Sequence, residues 1–488
     1  MRNSGGKKYV TSLLPLQLGK KIQEEISDFE LSRALPGKVW FPDDAEYRAQ
    51  QAEYWLRQEA KDLHPNCRVT PASAEDVANT IKVVVSTNSA FAVKAGGHSS
   101  VSGASKIDEG VTIDMSSMSR VEVAHDQQSV LIGTRARWLD VYTALEQYGL
   151  SVSGSRASHV GVGGYVLGGG FSWFSNQNGW TCDMVSECGV VLANGTVVLA
   201  SYAHHSDLFW ALRGGGSSFG IVTSFKLPAL KHPQVYGGPI AFDDNELNSV
   251  FASFEKLNRE AHLDVHSSGY LSFAYDQRHK EVYNTFYLIN SRGEASSPAF
   301  AGFLRTPSRF SHLRKMNMST SAMETNHSND PGYRESKLTL TFRNDAALMC
   351  DIHSIFTYFA GTVDYEPEGR LAMTFQPLTA SHIAHSDNAL GLSAKDAPLI
   401  LLSVELRWSS KSTTEYFEDV VRRFYETMRT LLEENEALHP FVYLNYAARW
   451  QDPFAGYGVE SVQRMKRVRK MYGPDSVFDI LQPGAFKF

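Results

Sequence analysis

Apolar and polar positions fall into readable patterns from Pro71 onward. Ser73 with Asp76 three residues later forms a capping-box pattern, and Val77, Ile81 and Val84 recur at helical spacing, predicting a helix of about three turns. Residues 91–93 are a short apolar run that predicts a strand, and the chain leaves it through Lys94-Ala95-Gly96-Gly97-His98, which places two glycines in a loop. Residues 111–115, 121–123 and 130–132 predict further strands, and residues 138–148 a helix stopped by Gly149. Two apolar runs on either side of Asn194-Gly195 predict a hairpin closed by a type I′ turn. A short helix over 207–212 is broken by Gly214-Gly215-Gly216, and a strand from Gly220 to Phe225 ends before Pro228. Beyond residue 233 strands at 270–274, 338–342 and 399–406 mix with helices such as 414–432. From Phe441 the pattern predicts a strand-like start and then a basic helix stopped by Tyr472-Gly473-Pro474.

Length changes this picture by setting a domain count. A chain of 488 residues, 43% apolar and 20% charged, is long enough for two or three cores, because single cores stop growing at roughly 250–300 residues. With 47 basic and 53 acidic side chains the net charge is −6, which gives no basic excess to hold a nucleic acid, and no nucleic-acid partner is expected. Runs such as Val83-Val84-Val85 fall far short of the ~20 apolar residues of a spanning helix, so no membrane partner is expected either. Four cysteines (Cys67, Cys182, Cys188, Cys350) without a C-x-x-C pair read as ordinary buried thiols, neither a disulfide scaffold nor a zinc site. The amino terminus offers only Leu13-Leu14-Pro15-Leu16 as an apolar patch, too short for a secretory leader; the expectation is a cytoplasmic protein, or a secreted one had a leader been removed. Sequons at Asn194, Asn317 and Asn326 are then coincidental.

Glycine carries the candidate chemistry, with eight between residues 149 and 170. In the loop Gly96-Gly97-His98-Ser99 through Gly103, converging backbone N–H groups can form a nest that cradles a pyrophosphate, with His98 against the ligand; an ordinary turn bearing a solvated histidine is the alternative. The run from Gly161 to Gly170 holds six glycines in ten residues. It is not a dinucleotide fingerprint, since G-x-G-x-x-G counted from Gly161 meets Val166 at the third glycine. It reads either as main chain stripped of side chains beneath a wide flat ligand or as a structural loop. Gly216-Ser217-Ser218-Phe219-Gly220 matches the nucleophile elbow of hydrolases in the wrong context, because a helix precedes it and a strand follows. Arg464 to Lys470 holds five basic residues in seven, but Met465, Val468 and Tyr472 keep an apolar stripe, so a solvated helix face is expected. His204-His205 lacks partners at metal-ligand spacing, and no metal site is expected.

Taken in order, the loop at 94–103, the glycine run at 161–170, Trp180-Thr-Cys-Asp183-Met-Val185, Arg213-Gly-Gly-Gly-Ser-Ser-Phe-Gly-Ile-Val222 and Tyr443-Leu-Asn445-Tyr446 resemble the vanillyl-alcohol-oxidase and p-cresol-methylhydroxylase (PCMH-type) FAD enzymes, in their berberine-bridge-enzyme-like branch. The resemblance implies an α+β fold. It divides the chain into an N-terminal extension (1–61), a two-subdomain FAD-binding domain (62–232), a substrate domain on an antiparallel sheet with flanking helices (233–440) and a C-terminal segment returning to the flavin (441–488). It implies FAD as cofactor, held by Lys94, Gly96, Gly97, His98, Ser99, Gly103, Val160, Gly161, Gly163, Gly164, Gly168, Val185 and Asn445. His98 matches the histidine that such enzymes bond to the flavin 8α-methyl group, and a neutral imidazole suits that attack. Ala157 stands where many relatives carry a second, cysteine link, so one covalent bond is expected. Val160 matches a position where valine accompanies oxygen access, which favours an oxidase. Tyr165 replaces a histidine of several plant relatives, and Cys67 has no upstream cysteine to pair with.

By the same resemblance the chain is an FAD oxidase that removes hydride from an alcohol or activated C–H of a small organic substrate, a secondary-metabolite intermediate or a sugar, and passes it to molecular oxygen with release of hydrogen peroxide. A redox-neutral, FAD-containing cyclase is the alternative. Tyr446 matches the family's frequent base, with Tyr443 and Asn445 beside it. A phenol of pKa about 10 needs a cation to act as a base near neutrality. Arg407, on one strand face with Glu405, is the candidate cation unless the two form only a surface ion pair. The aspartate that often follows the base is absent from Asn445-Tyr446-Ala447-Ala448. A monomer is expected.

Overall fold

The computed structural model describes residues 25, 27–231, 234–325, 330–366, 369–473 and 475–488. Two small sheets build the amino-terminal half. The first runs in the spatial order Val39–Trp40, Cys67–Val69, Val111–Asp114, Phe91–Lys94, with the last three mutually parallel. Helix Ala74–Ser86 covers it, started by Ser73, whose side chain accepts from the Asp76 N–H, and it buries Val77, Ile81 and Val84. The second is an antiparallel five-stranded sheet ordered Val121–Val123, Ser129–Gly133, Ile221–Pro228, Glu187–Val191, Val197–Ser201.

The hairpin at 187–201 forms, but through a longer turn than the dipeptide predicts. Val191 pairs with Val197, Leu192 N–H donates to Thr196 and Gly195 N–H to Leu192, and of Asn194 and Gly195 only Gly195 has a positive φ. A type I′ turn needs both residues there, so a five-residue connection wins. Strand Ile221–Pro228 also runs through its proline, which pairs with Ser129. Inside the glycine run lies a short helix, Val162–Leu167.

A nine-stranded antiparallel sheet dominates the rest. Its central strands Ser267–Asp276, Arg370–Leu378, Leu399–Trp408 and Arg334–Arg343 lie side by side in that order. Alternation gives each strand two faces. Phe273, Phe375, Leu402 and Leu340 bury against helices Leu247–Arg259, Ala346–Thr362 and Thr414–Glu434, while Ala372, Thr374, Gln376, Ser403 and Glu405 project from the opposite face into a cavity.

Among the described residues past Phe441 no strand forms; strand Leu438–His439 ends before it, and a 3₁₀ turn, Leu444–Tyr446, follows. The basic helix Val459–Tyr472 buries Met465 and Val468, and Arg464 lies over the Trp210 ring at 3.8 Å. All four cysteines are free; three are buried, whereas Cys350 is half-buried, because its helix turns that position outward. His204 and His205 are exposed, and among the described residues no cluster of His, Cys, Asp and Glu could hold a metal. No described helix is long and apolar enough to cross a membrane. The Leu13–Leu16 patch, the Asn326 sequon and Pro474 lie outside the described residues.

Candidate active site

A cavity of about 440 Å³ lies where the two glycine segments, the open face of the large sheet and the C-terminal segment meet. The glycines bring backbone onto backbone. A Cβ on Gly161 would stand 2.4 Å from Gly96 Cα, so the two loops cross in direct main-chain contact that no side chain permits. Gly163 packs on Thr134 and Gly168 on the Asn445 amide, whereas Gly164 alone of this group opens on free space. The run therefore serves mainly to pack segments that carry the cavity wall, rather than to offer six bare residues to a ligand.

His98 stands on that wall, stacked on Trp55 with centroids 4.5 Å apart. Its Nε2 is buried and has no hydrogen-bond partner. Burial, reinforced by the Lys337 cation, pushes the imidazole down to about 3, so it is neutral at physiological pH. Ser99, Val160 and Ala157 also line the cavity, as do Gly96, Gly97, Gly161, Gly163, Gly164, Gly168 and Asn445. An orphaned imidazole nitrogen and a backbone-lined cradle fit FAD.

Three expected cofactor contacts lie elsewhere. Lys94 is fully buried behind its strand, 2.9 Å from Asp114 and 3.6 Å from Glu53, because strand alternation turns it away from the cavity lined by Val93 and Ala95. Gly103 donates its N–H to Glu59 Oε1 at 2.8 Å. Val185 ends a 3₁₀ turn inside the apolar core.

Tyr443, Asn445 and Tyr446 lie together, the residues that the family resemblance singled out, and the cation beside Tyr446 is Arg156. Tyr446 lines the cavity, and its hydroxyl lies 3.4 Å from an Arg156 Nη2 donor and 3.5 Å from Gln376 Oε1, which also accepts from Arg156. Tyr443 is buried beneath it; its hydroxyl accepts from the Gly170 N–H at 3.0 Å and from Asn445 Nδ2 at 3.1 Å. Burial and the adjoining Tyr446 and Tyr165 hydroxyls raise the Tyr443 pKa far above that of a free phenol, so this ring stays protonated and acts as a strut. Arg407 does share its face with Glu405, but it lies beyond the cavity rim, 2.6 Å from Glu405 and 3.0 Å from Glu335, and does not reach Tyr446. The guanidinium beside the Tyr446 hydroxyl is that of Arg156, not that of Arg407. Lys337, 2.8 Å from Glu335 and 3.4 Å from Glu405, extends the ion cluster to the cavity. Burial opposes ionisation of Glu405, yet Arg407 and Lys337 outweigh it and hold the carboxyl at about 2.

Sequence reasoning missed Arg156, Gln376, Lys337 and Trp55. Arg156 had a visible signal, as a lone cation in the small-residue stretch Ser151-Val-Ser-Gly-Ser-Arg156-Ala-Ser. The others reach the site only through strand register and packing.

The fold and this site define an FAD-binding oxidoreductase. Residues 65–201 match the FAD binding domain family. The chain is 36% identical over 464 residues to the FAD-dependent monooxygenase tpcD of Cochliobolus heterostrophus, covering 92% of this chain and 89% of that one. It is 32% identical over 454 residues to the FAD-dependent monooxygenase FUP4 of Fusarium proliferatum, covering 89% and 87%. In fold it is similar to a xylooligosaccharide oxidase from Myceliophthora thermophila (TM-score 0.79, 19% identity, 95% of this chain and 100% of that one). A berberine-bridge-enzyme-like protein of Physcomitrella patens superposes with TM-score 0.77 at 20% identity, over 95% and 99% of the two chains. The chain belongs to the family of FAD-linked oxidoreductases that includes tpcD and FUP4, and it shares its fold with the berberine-bridge-enzyme-like protein and the xylooligosaccharide oxidase.

Proposed function

We propose that this chain is a monocovalent FAD oxidase that removes hydride from an alcohol or activated C–H of a small organic substrate, with dioxygen as final acceptor. The observation that supports it is the meeting of Tyr446, Arg156 and the unpartnered His98 nitrogen around one cavity. Bound FAD supplies a hydride acceptor at N5 and a route to oxygen. Tyr446 Oη takes the substrate proton, and the Arg156 guanidinium that donates to this oxygen stabilises the phenolate form. Gln376 fixes both groups by accepting from each. The large sheet walls the site from water on one side. His98 holds the cofactor through its free nitrogen, and Ala157 offers no sulfur for a second bond.

The relatives named monooxygenases favour a second reading, in which an oxygen atom enters the product. Turnover under isotopically labelled dioxygen separates the two: the oxidase yields peroxide equal to substrate consumed and unlabelled product, whereas label in the product establishes oxygen insertion. Turnover without oxygen uptake would instead establish the redox-neutral alternative. Acid precipitation and peptide mapping test the tether. Flavin is expected on the peptide containing His98, and complete release of FAD refutes it.

A further inference from the structure

Among the described residues lining the cavity the cations are Arg156 and Lys337, and the only carboxylate is Glu405. Glu405 is already engaged, 3.4 Å from Lys337 and 2.6 Å from Arg407. Lys337 is satisfied by Glu335 as well. Arg156 has no such partner. Its hydrogen bonds go to Gln376 and Tyr446, both neutral acceptors, and no described carboxylate lies within ion-pair distance. A guanidinium carries five donors in a rigid fork matched to two oxygens, and a half-buried one without a counter-charge is costly to keep.

The rest of its surroundings fix the group in place without neutralising it. The guanidinium carbon lies 4.7 Å from the Phe171 ring centroid, 4.8 Å from Tyr270 and 5.5 Å from Trp173. Tyr270 is itself stacked between Trp173 and Tyr287, with centroids 5.5 and 5.1 Å away and planes within 20°. Three rings therefore hold one cation at the cavity wall with donors to spare, and Phe171 and Tyr446 add aromatic surface to the same wall.

From this geometry we infer the substrate class: a planar, unsaturated molecule bearing an oxyanion, either a carboxylate or an ionised enol or phenol, which docks on the free donors of Arg156 and stacks on the neighbouring rings. The inference rests on the oxidase reading for its site and deepens it. Arg156 would then serve twice, anchoring the substrate and steadying the Tyr446 oxygen that faces the reacting position.

Calorimetric titration of the flavin-loaded full chain tests this with two matched pairs of probes, benzoate against benzamide and pentafluorophenolate against its methyl ether. The anion of at least one pair is expected to bind roughly tenfold more tightly than its neutral mate, the gain of one charge-assisted contact. The pair that discriminates tells a carboxylate site from a phenolate or enolate site. In Arg156→Met the preference is expected to vanish while binding of the neutral mate persists, an outcome that loss of a merely structural clamp would not give. Arg156→Lys, which keeps the charge, is expected to retain part of the preference and serves where the methionine variant does not fold. Equal binding of anion and neutral probe by the wild type, or a preference that survives Arg156→Met, overturns the inference. The absorbance of bound flavin in the same samples reports the cofactor separately, so absence of the anion preference in the flavin-loaded wild type overturns this inference and leaves the oxidase reading standing.

Discussion

A single methyl group at Gly161 would meet the Gly96 backbone at 2.4 Å, and neither loop has a side chain that can yield. Gly161→Ala is expected to lower stability by about 1–3 kcal/mol, as overpacking of a tight contact does, and to reduce flavin content; an unchanged denaturation midpoint would show that the loops separate freely. At Tyr446 the proposed base is at stake rather than packing. Tyr446→Phe is expected to keep bound flavin but to slow anaerobic flavin reduction by roughly 10²-fold, the usual worth of a positioned base, and an unchanged rate would move the base elsewhere. Tyr443→Phe should show the reverse balance. Loss of its hydroxyl strips partners from the Gly170 N–H and the Asn445 amide, costing about 1–3 kcal/mol in a melt, with a smaller effect on rate.

Among elements, the paired strands Arg370–Leu378 and Leu399–Trp408 show what alternation alone can say. Period two puts Arg407 and Glu405 on one face, which the structure bears out, but it is silent on how far along that face the cavity extends. Gln376 and Lys337 were illegible for the same reason, since they arrive from strands whose pairing depends on register across residues distant in sequence. The glycine loops and the Tyr443–Tyr446 turn were legible because short local motifs carry them, although local pattern could not tell that Lys94 faces inward. The two faces differ in consequence. Phe375→Ala, on the helix-covered side, is expected to cost about 3–5 kcal/mol by denaturant melt. Thr374→Ala, on the cavity side, is expected to change stability by no more than about 0.5 kcal/mol while altering substrate affinity.

For the molecule as a whole, pH acts through a buried pair that ties the His98 loop to helix Arg57–Asp62. Burial, only partly offset by the Gly103 N–H and Lys106, pushes the Glu59 carboxyl up to about 8. An acid raised on folding lends stability that is complete below its unfolded value of 4.5 and lost as pH climbs through about 8. Lys106, whose Nζ donates to the Glu59 carbonyl, is lowered by burial to about 7; its contribution is present above 10.5 and lost as pH falls through about 7. Because the two trends oppose each other, the informative quantity is the difference in melting temperature between wild type and Glu59→Gln. That gap is expected to move in favour of the variant as pH rises from 5 to 9, and a constant gap would show that Glu59 does not titrate in this range.

Ala372, Thr374 and Ser403 reach the cavity from the middle of a sheet whose reverse is sealed by helices, while the glycine loops proposed to hold the nucleotide come from elsewhere in the chain. Saturation of those three codons is thus a route to enzymes with altered appetites that inherit an intact redox engine.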